Sequence, residues 1–232
     1  MTALHHEERF DALIKKLATS SHGSQELGAL KAFLANDLKK DREAFLLPRL
    51  AQAAVTWLDV KERIWPTPAD QEKNQFPFLQ GDIIATTMVL ALGMAESSQR
   101  HNLWLVLTPD CDCVRAKFVR VAAVFPVYSG NKANPESSNR FGHALKLATT
   151  RIFPLPKLAG DELVELRGYF ADLETPYYIT HADKGLATAC ASLTVTGWHL
   201  LNALIQDKET RAADMAEAVA IRRLRGNSPD IA

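Results

Sequence analysis

Leu103–Thr108, with the sequence LWLVLT, is an almost wholly apolar run of strand length, and Pro109 stops it. A run this short and this apolar marks a strand buried on both faces. Proline cannot donate to a ladder and disfavours helix in the residue before it, so the strand ends at the Thr108-Pro109-Asp110 turn. Such a strand needs a neighbour on each side, and the sequence supplies two. Gly81–Leu92 carries Ile83, Ile84, Thr86, Thr87, Met88 and Val89, a strand composition. Val114–Val127 alternates through Arg115, Lys117 and Val119 before an apolar half that Pro126 closes. The polar stretch Gly93–Asn102 reads as the loop between them. We therefore expect a compact, curved sheet in which Ile83, Val106 and Val124 lie on paired strands.

Helices flank this sheet. Phe10, Leu13, Ile14 and Leu17 fall on one helical face, and Leu27, Leu30, Leu34 and Leu38 do so again after Ser24, a suitable N-cap. A third helix is predicted from Asp41 or Pro48 to Ile64. Trp65–Phe78 holds three prolines and little periodicity, and reads as a linker. Beyond the sheet, Ser129–Asn139 reads as a long polar loop. Leu145–Leu147, Arg151–Leu155 and Leu163–Leu173 read as further strands. From Ala189 the helical period returns, with Val195, Trp198, Leu201 and Ile205 on one face, Thr194 or Ser192 as cap, and a last helix over Glu209–Arg225. The expected class is α+β, a small, strongly bent barrel flanked by helices. Its divisions are residues 1–64 helical, 65–78 linker, 79–180 barrel and 181–226 C-terminal helices packed on the barrel.

At 232 residues, 47% hydrophobic and 23% charged, the chain has the composition of a globular protein. No run of about 18 apolar residues occurs, so no membrane span is expected. Three cysteines, Cys111, Cys113 and Cys190, do not make a disulfide framework. With no signal-peptide pattern in MTALHHEERF, they point to a cytoplasmic location. No phosphate-binding, dinucleotide-binding, zincin or nucleophile-elbow motif is found, and no cofactor is expected.

The net charge of zero hides a polarised sequence. Between Cys113 and Gly160 eight Lys and Arg residues, among them Arg115, Lys117, Arg120, Lys132 and Arg140, stand against one acid, Glu136, a local charge of +7. Asp161–Glu174 then holds five acids and one arginine, a charge of −4. The five named cations are candidates for phosphate contacts with RNA or DNA. The same segment also suits a solvated strand face, or one that mates with the acidic segment. The turn Asp110-Cys111-Asp112-Cys113 is a second candidate, because two carboxylates at i and i+2 suit Mg²⁺. It is a poor match to structural zinc spacing, so no metal is assigned.

In order and spacing, Gly81-Asp82-Ile83, Leu105-Val106-Leu107-Thr108-Pro109-Asp110 and Phe125-Pro126-Val127-Tyr128-Ser129 resemble the MazF/PemK toxin family over about 50 residues. The resemblance implies an SH3-like β-barrel. It also implies a ribonuclease site with an arginine before the apolar strand and a threonine at the end of the returning strand. Arg100 occupies the first place and Tyr128, with Ser129 beside it, the second. LTPDCD, FPLP and ASLTVTGWHLLNALI further resemble bacterial proteins from defence-type gene neighbourhoods. The function expected is a nucleic-acid-facing or partner-docking component of a toxin–antitoxin or defence-like system, more a binder than a catalyst. Protein partners would meet the N-terminal helices or the barrel rim. The alternatives are a metal-free endoribonuclease using Arg100, Tyr128 and Ser129, and a structural scaffold.

Overall fold

A computed structural model describes residues 3–19, 24–53, 78–91, 102–109, 113, 117–180 and 183–212. The predicted loop over 93–101, the linker over 65–77 and the helical stretches 54–64 and 213–225 lie outside the described residues.

Among the described residues eight strands form one antiparallel, barrel-like sheet. They are β1 (Ala51–Ala53), β2 (Asp82–Ala85), β3 (Leu90–Ala91), β4 (Leu103–Val106), β5 (Phe118–Tyr128), β6 (Ile152–Leu155), β7 (Leu166–Thr180) and β8 (Thr188–Leu193). The order is β1-β8-β2-β4-β5-β7-β3, and β6 pairs with the other half of β7. Ile83, Val106 and Val124 thus sit on three successive neighbours, as their sequence pattern predicts. Register shifts within β5 and β7 break the long pairing between them, the kind of bulge that bends a sheet.

The apolar run of β4 is explained by two cores on opposite faces. Leu105 and Leu107 join one cluster, with the helices, while Trp104 and Val106 join the other, with Val119, Val121, Tyr177 and Ile179. Each such side chain contributes about 1.5–3 kcal/mol by leaving water. No residue of this strand has a polar face to present.

Among the described residues five helices flank the sheet: α1 (Ala3–Thr19), α2 (Ser24–Asn36), α3 (Arg42–Leu46), α4 (Pro135–Leu145) and α5 (Val195–Ala212). Phe10, Ile14, Leu17, Leu27, Leu30, Leu34 and Leu38 are buried, as their spacing requires, and α1 packs on both α2 and α5. The N-terminal helices therefore share one continuous core with the barrel and the C-terminal helix.

Five local expectations are corrected. The helical period expected from Ala189 is instead strand β8, which β1 and β2 flank, and the helix begins only at Val195. The predicted third helix breaks into α3 between two single 3-10 turns, Lys39–Asp41 and Leu47–Arg49, and then becomes β1. Pro48 brings no N–H, and the Leu50 carbonyl accepts the N–H of Thr194 at 2.9 Å rather than continuing a helix. The predicted loop over 129–139 instead starts α4. Asn134 caps it by accepting from the N–H groups of Glu136 and Ser137, and Pro135 fits the first helical turn. Of Leu145–Leu147, predicted as a strand, Leu145 is the last residue of that helix, and Lys146 and Leu147 turn the chain out of it. Finally, α5 buries Leu200, Leu201 and Leu204, whereas Val195 and Trp198 from the predicted face are 74% and 37% exposed.

The turn entering β2 is tightly specified. Asp82 is buried, accepting the Leu79 N–H at 2.8 Å and the Ser192 hydroxyl at 2.8 Å. Gly81 has φ +90° and donates its N–H to the Val106 carbonyl, while its own carbonyl accepts from Leu193. The Gly-Asp-Ile piece is thus a structural joint between β2, β4 and β8.

Candidate functional site

The basic segment meets the acidic one across the sheet. Lys132 pairs with Glu165 at 3.9 Å, Arg140 with Asp172 at 2.9 Å and Arg151 with Glu174 at 3.5 Å. The Arg140 guanidinium also lies 4.9 Å from the centroid of the Phe170 ring. Arg167, the one cation of the acidic segment, pairs with Glu43 of α3. Three of the eight cations of the +7 segment are therefore paired internally, by the mating of segments that the charge pattern allowed. Pairing occurs because β5, α4 and β7 stack the two stretches side by side.

The predicted catalytic pieces are placed as follows. Arg100 lies outside the described residues. Tyr128 ends β5 half-buried against the core. The Ser129 hydroxyl donates to the Glu165 carbonyl at 3.0 Å, and its N–H donates to the same oxygen. Both groups thus have structural partners at the strand end.

Asp110, Cys111 and Asp112 lie outside the described residues, as does Arg115. Cys113 is buried, with its thiol donating to the Thr108 carbonyl at 3.1 Å. Burial pushes the Cys190 thiol above its ordinary value. Among the described residues no cluster of His, Cys, Asp and Glu has the makings of a metal site.

What remains of the cationic set is at the start of β5. Lys117 is exposed and Arg120 half-buried, and Arg120 stands in register with Tyr178 of β7, which in turn pairs with Leu90 of β3. Residues directly opposite one another in a sheet point to the same face, and Phe118, paired with Thr180, is two residues from Arg120. Phe118, Arg120, Tyr178 and Leu90 therefore share one surface. Their neighbours Val119, Val121, Tyr177 and Ile179 point the other way, into the core.

Phe118 is 52% exposed and Leu90 51% exposed. The Nε of Arg120 is buried without a hydrogen-bond partner among the described residues. A buried unsatisfied donor costs about 1–3 kcal/mol, a local cost carried within the fold. Sequence reasoning picked out Lys117 and Arg120 by charge but missed Phe118 and Tyr178. The alternation of Phe118 with Val119 was the available signal, and the partnership with Tyr178 requires the fold.

Searches against known protein families and curated proteins match neither a family model nor a curated protein.

Proposed function

We propose that the chain is a non-catalytic binding module that holds single-stranded nucleic acid, RNA or DNA, on the outer face of β3, β7 and β5. The observation that carries this is the exposed Phe118 ring, which shares one face of the sheet with the cationic Arg120 and with Tyr178. Aromatic rings stack on bases whatever their identity, and guanidinium and ammonium groups take phosphate oxygens. Lys117 supplies a further cation at the edge of the patch. The setting we infer is a bacterial toxin–antitoxin or defence-like system, on the strength of the motif order across residues 81–129. Binding is favoured over cleavage because the Ser129 hydroxyl is committed to the Glu165 carbonyl and Tyr128 is packed against the core.

Fluorescence anisotropy with labelled single-stranded RNA and DNA, at low and moderate salt, tests the proposal. We expect salt-sensitive binding that Phe118→Ala and Arg120→Gln each weaken about tenfold, while Lys132→Gln, which removes an ion-paired cation, changes little. No binding to either strand, or equal binding by all variants, refutes it. In that event the exposed Leu90 and Phe118 become the surface to test for a protein partner.

A further inference from the structure

A second site lies away from that face, in a cleft of about 330 Å³ where the end of α1, the turn before β2 and the first half of α5 meet. Leu17 and Pro109 form part of its wall, and Gln80, Trp198, His199 and Asn202 supply its aromatic and polar groups. We propose that this cleft binds a single nucleobase, free or as a nucleoside, with the base against the Trp198 indole.

The indole is held in place from behind. Its N–H donates to Gln80 Oε1 at 3.0 Å, and Gln80 Nε2 donates in turn to the Leu107 carbonyl at 3.0 Å. Gln80 is itself buried, so the ring is anchored to the end of β4, yet 37% of Trp198 remains exposed, whereas Trp104, the other tryptophan among the described residues, is fully buried. An exposed ring fixed by a buried amide is a preorganised stacking surface.

The lining sets the ligand class. No Lys, Arg, Asp or Glu lines the cleft among the described residues, so a neutral ligand is favoured over an anion or a cation. The His199 ring and the Asn202 carboxamide both offer donor and acceptor atoms, which matches the mixed edge of a base. Sugars that stack on indole present hydroxyl donors to carboxylate acceptors, and none is present here. The volume is at the small end for ligand cavities, the right scale for one base with its ribose.

This inference stands apart from strand binding on the Phe118–Arg120 face. Saturation-transfer NMR and calorimetry on the full chain, with adenosine, guanosine, cytidine, uridine and free ribose as probes, test it. At least one nucleoside is expected to bind through its base protons. Affinity should fall about tenfold or more in Trp198→Leu and in Asn202→Leu, and stay unchanged in Lys132→Gln, which alters neither face. Asn202 has no part in anchoring the indole, so that variant decides the matter if Trp198→Leu does not fold. The proposal is overturned if no nucleoside binds, if ribose alone binds as tightly, or if Asn202→Leu leaves the affinity intact. Oligonucleotide binding without nucleoside binding would sink this inference while sparing the proposed function, and the converse would do the opposite.

Discussion

Replacing Gly197 by alanine sets two opposing effects against each other. In an exposed helix interior alanine is preferred over glycine by about 1 kcal/mol. Gly197, however, lies in the first turn of α5 directly against β1, where an added Cβ would sit 2.1 Å from the Leu50 carbonyl oxygen. An ordinary carbon–oxygen contact is about 1 Å longer, and the obstacle is backbone that cannot rotate away. The same carbonyl accepts the Thr194 N–H at 2.9 Å, while the Thr194 hydroxyl donates to the neighbouring Arg49 carbonyl and accepts the Gly197 N–H at 3.1 Å. Moving α5 outward therefore disturbs its own N-cap. Overpacking costs about 1–3 kcal/mol, and two weakened hydrogen bonds about 1 kcal/mol each. Against a gain of about 1 kcal/mol from propensity, the net is a loss of about 2–4 kcal/mol. For a chain of this size, at about 2–4 °C per kcal/mol, that lowers Tm by roughly 4–16 °C. Gly28 in α2 provides the control, because a Cβ there meets nothing within 4 Å. Gly28→Ala is expected to stabilise by about 0.5–1 kcal/mol. Urea melts of the parent and both variants measure the difference. Gly197→Ala as stable as the parent, or both variants shifting in the same direction, would show the packing argument to be mistaken.

Gly81→Ala is expected to destabilise by about 1–3 kcal/mol, because φ of +90° is strained for an L residue and the new Cβ meets Leu193 Cδ1 at 3.0 Å; a thermal melt of that variant checks it. Burial, and then the Asp161 carboxylate that accepts its hydroxyl, pushes the Tyr169 phenol above its ordinary value. The unfolded chain then ionises first, so this contribution is full below about pH 10 and is lost as pH climbs beyond it. Urea midpoints of Tyr169→Phe between about pH 9 and 12 should fall less steeply than those of the parent, and parallel curves would contradict this. Arg140→Ala removes both the Asp172 ion pair and the contact with Phe170, and should cost about 1–2 kcal/mol in chemical denaturation.

The parts of the fold legible in the sequence were those in which burial follows from local period. Leu105 and Trp104 read correctly because both faces of β4 are covered, and Phe10, Ile14, Leu17, Leu27 and Leu30 because α1 and α2 each bury one stripe. Alpha-helix α4 was also written plainly, as Asn134-Pro135-Glu136, but the polar composition around it masked the cap. By contrast, β1 was not readable. Three residues join a sheet there because β8 offers an edge, and nothing near Ala51 announces a partner about 140 residues away. The face of α5 was misjudged because its first turn is pinned by Thr194 to Leu50, which leaves Val195 pointing outward. At the candidate site, charge was visible but its neutralisation was not. Arg140 and Asp172 meet only once α4 lies along β7, and Phe118 gains its significance only through the register with Tyr178.

The pairing of β1 with β8 also bears on how the protein is made. Residues 51–53 leave the ribosome long before residues 188–193, and α1 likewise precedes its packing partner α5. Synthesis thus proceeds with the side of α1 that packs on α5, and the edge that β1 gives to β8, uncovered until the trailing segment emerges, which delays closure and invites chaperone capture. Release of an intact, protease-resistant molecule should come late and all at once, and chains arrested before residue 188 should remain open to digestion at their amino-terminal end.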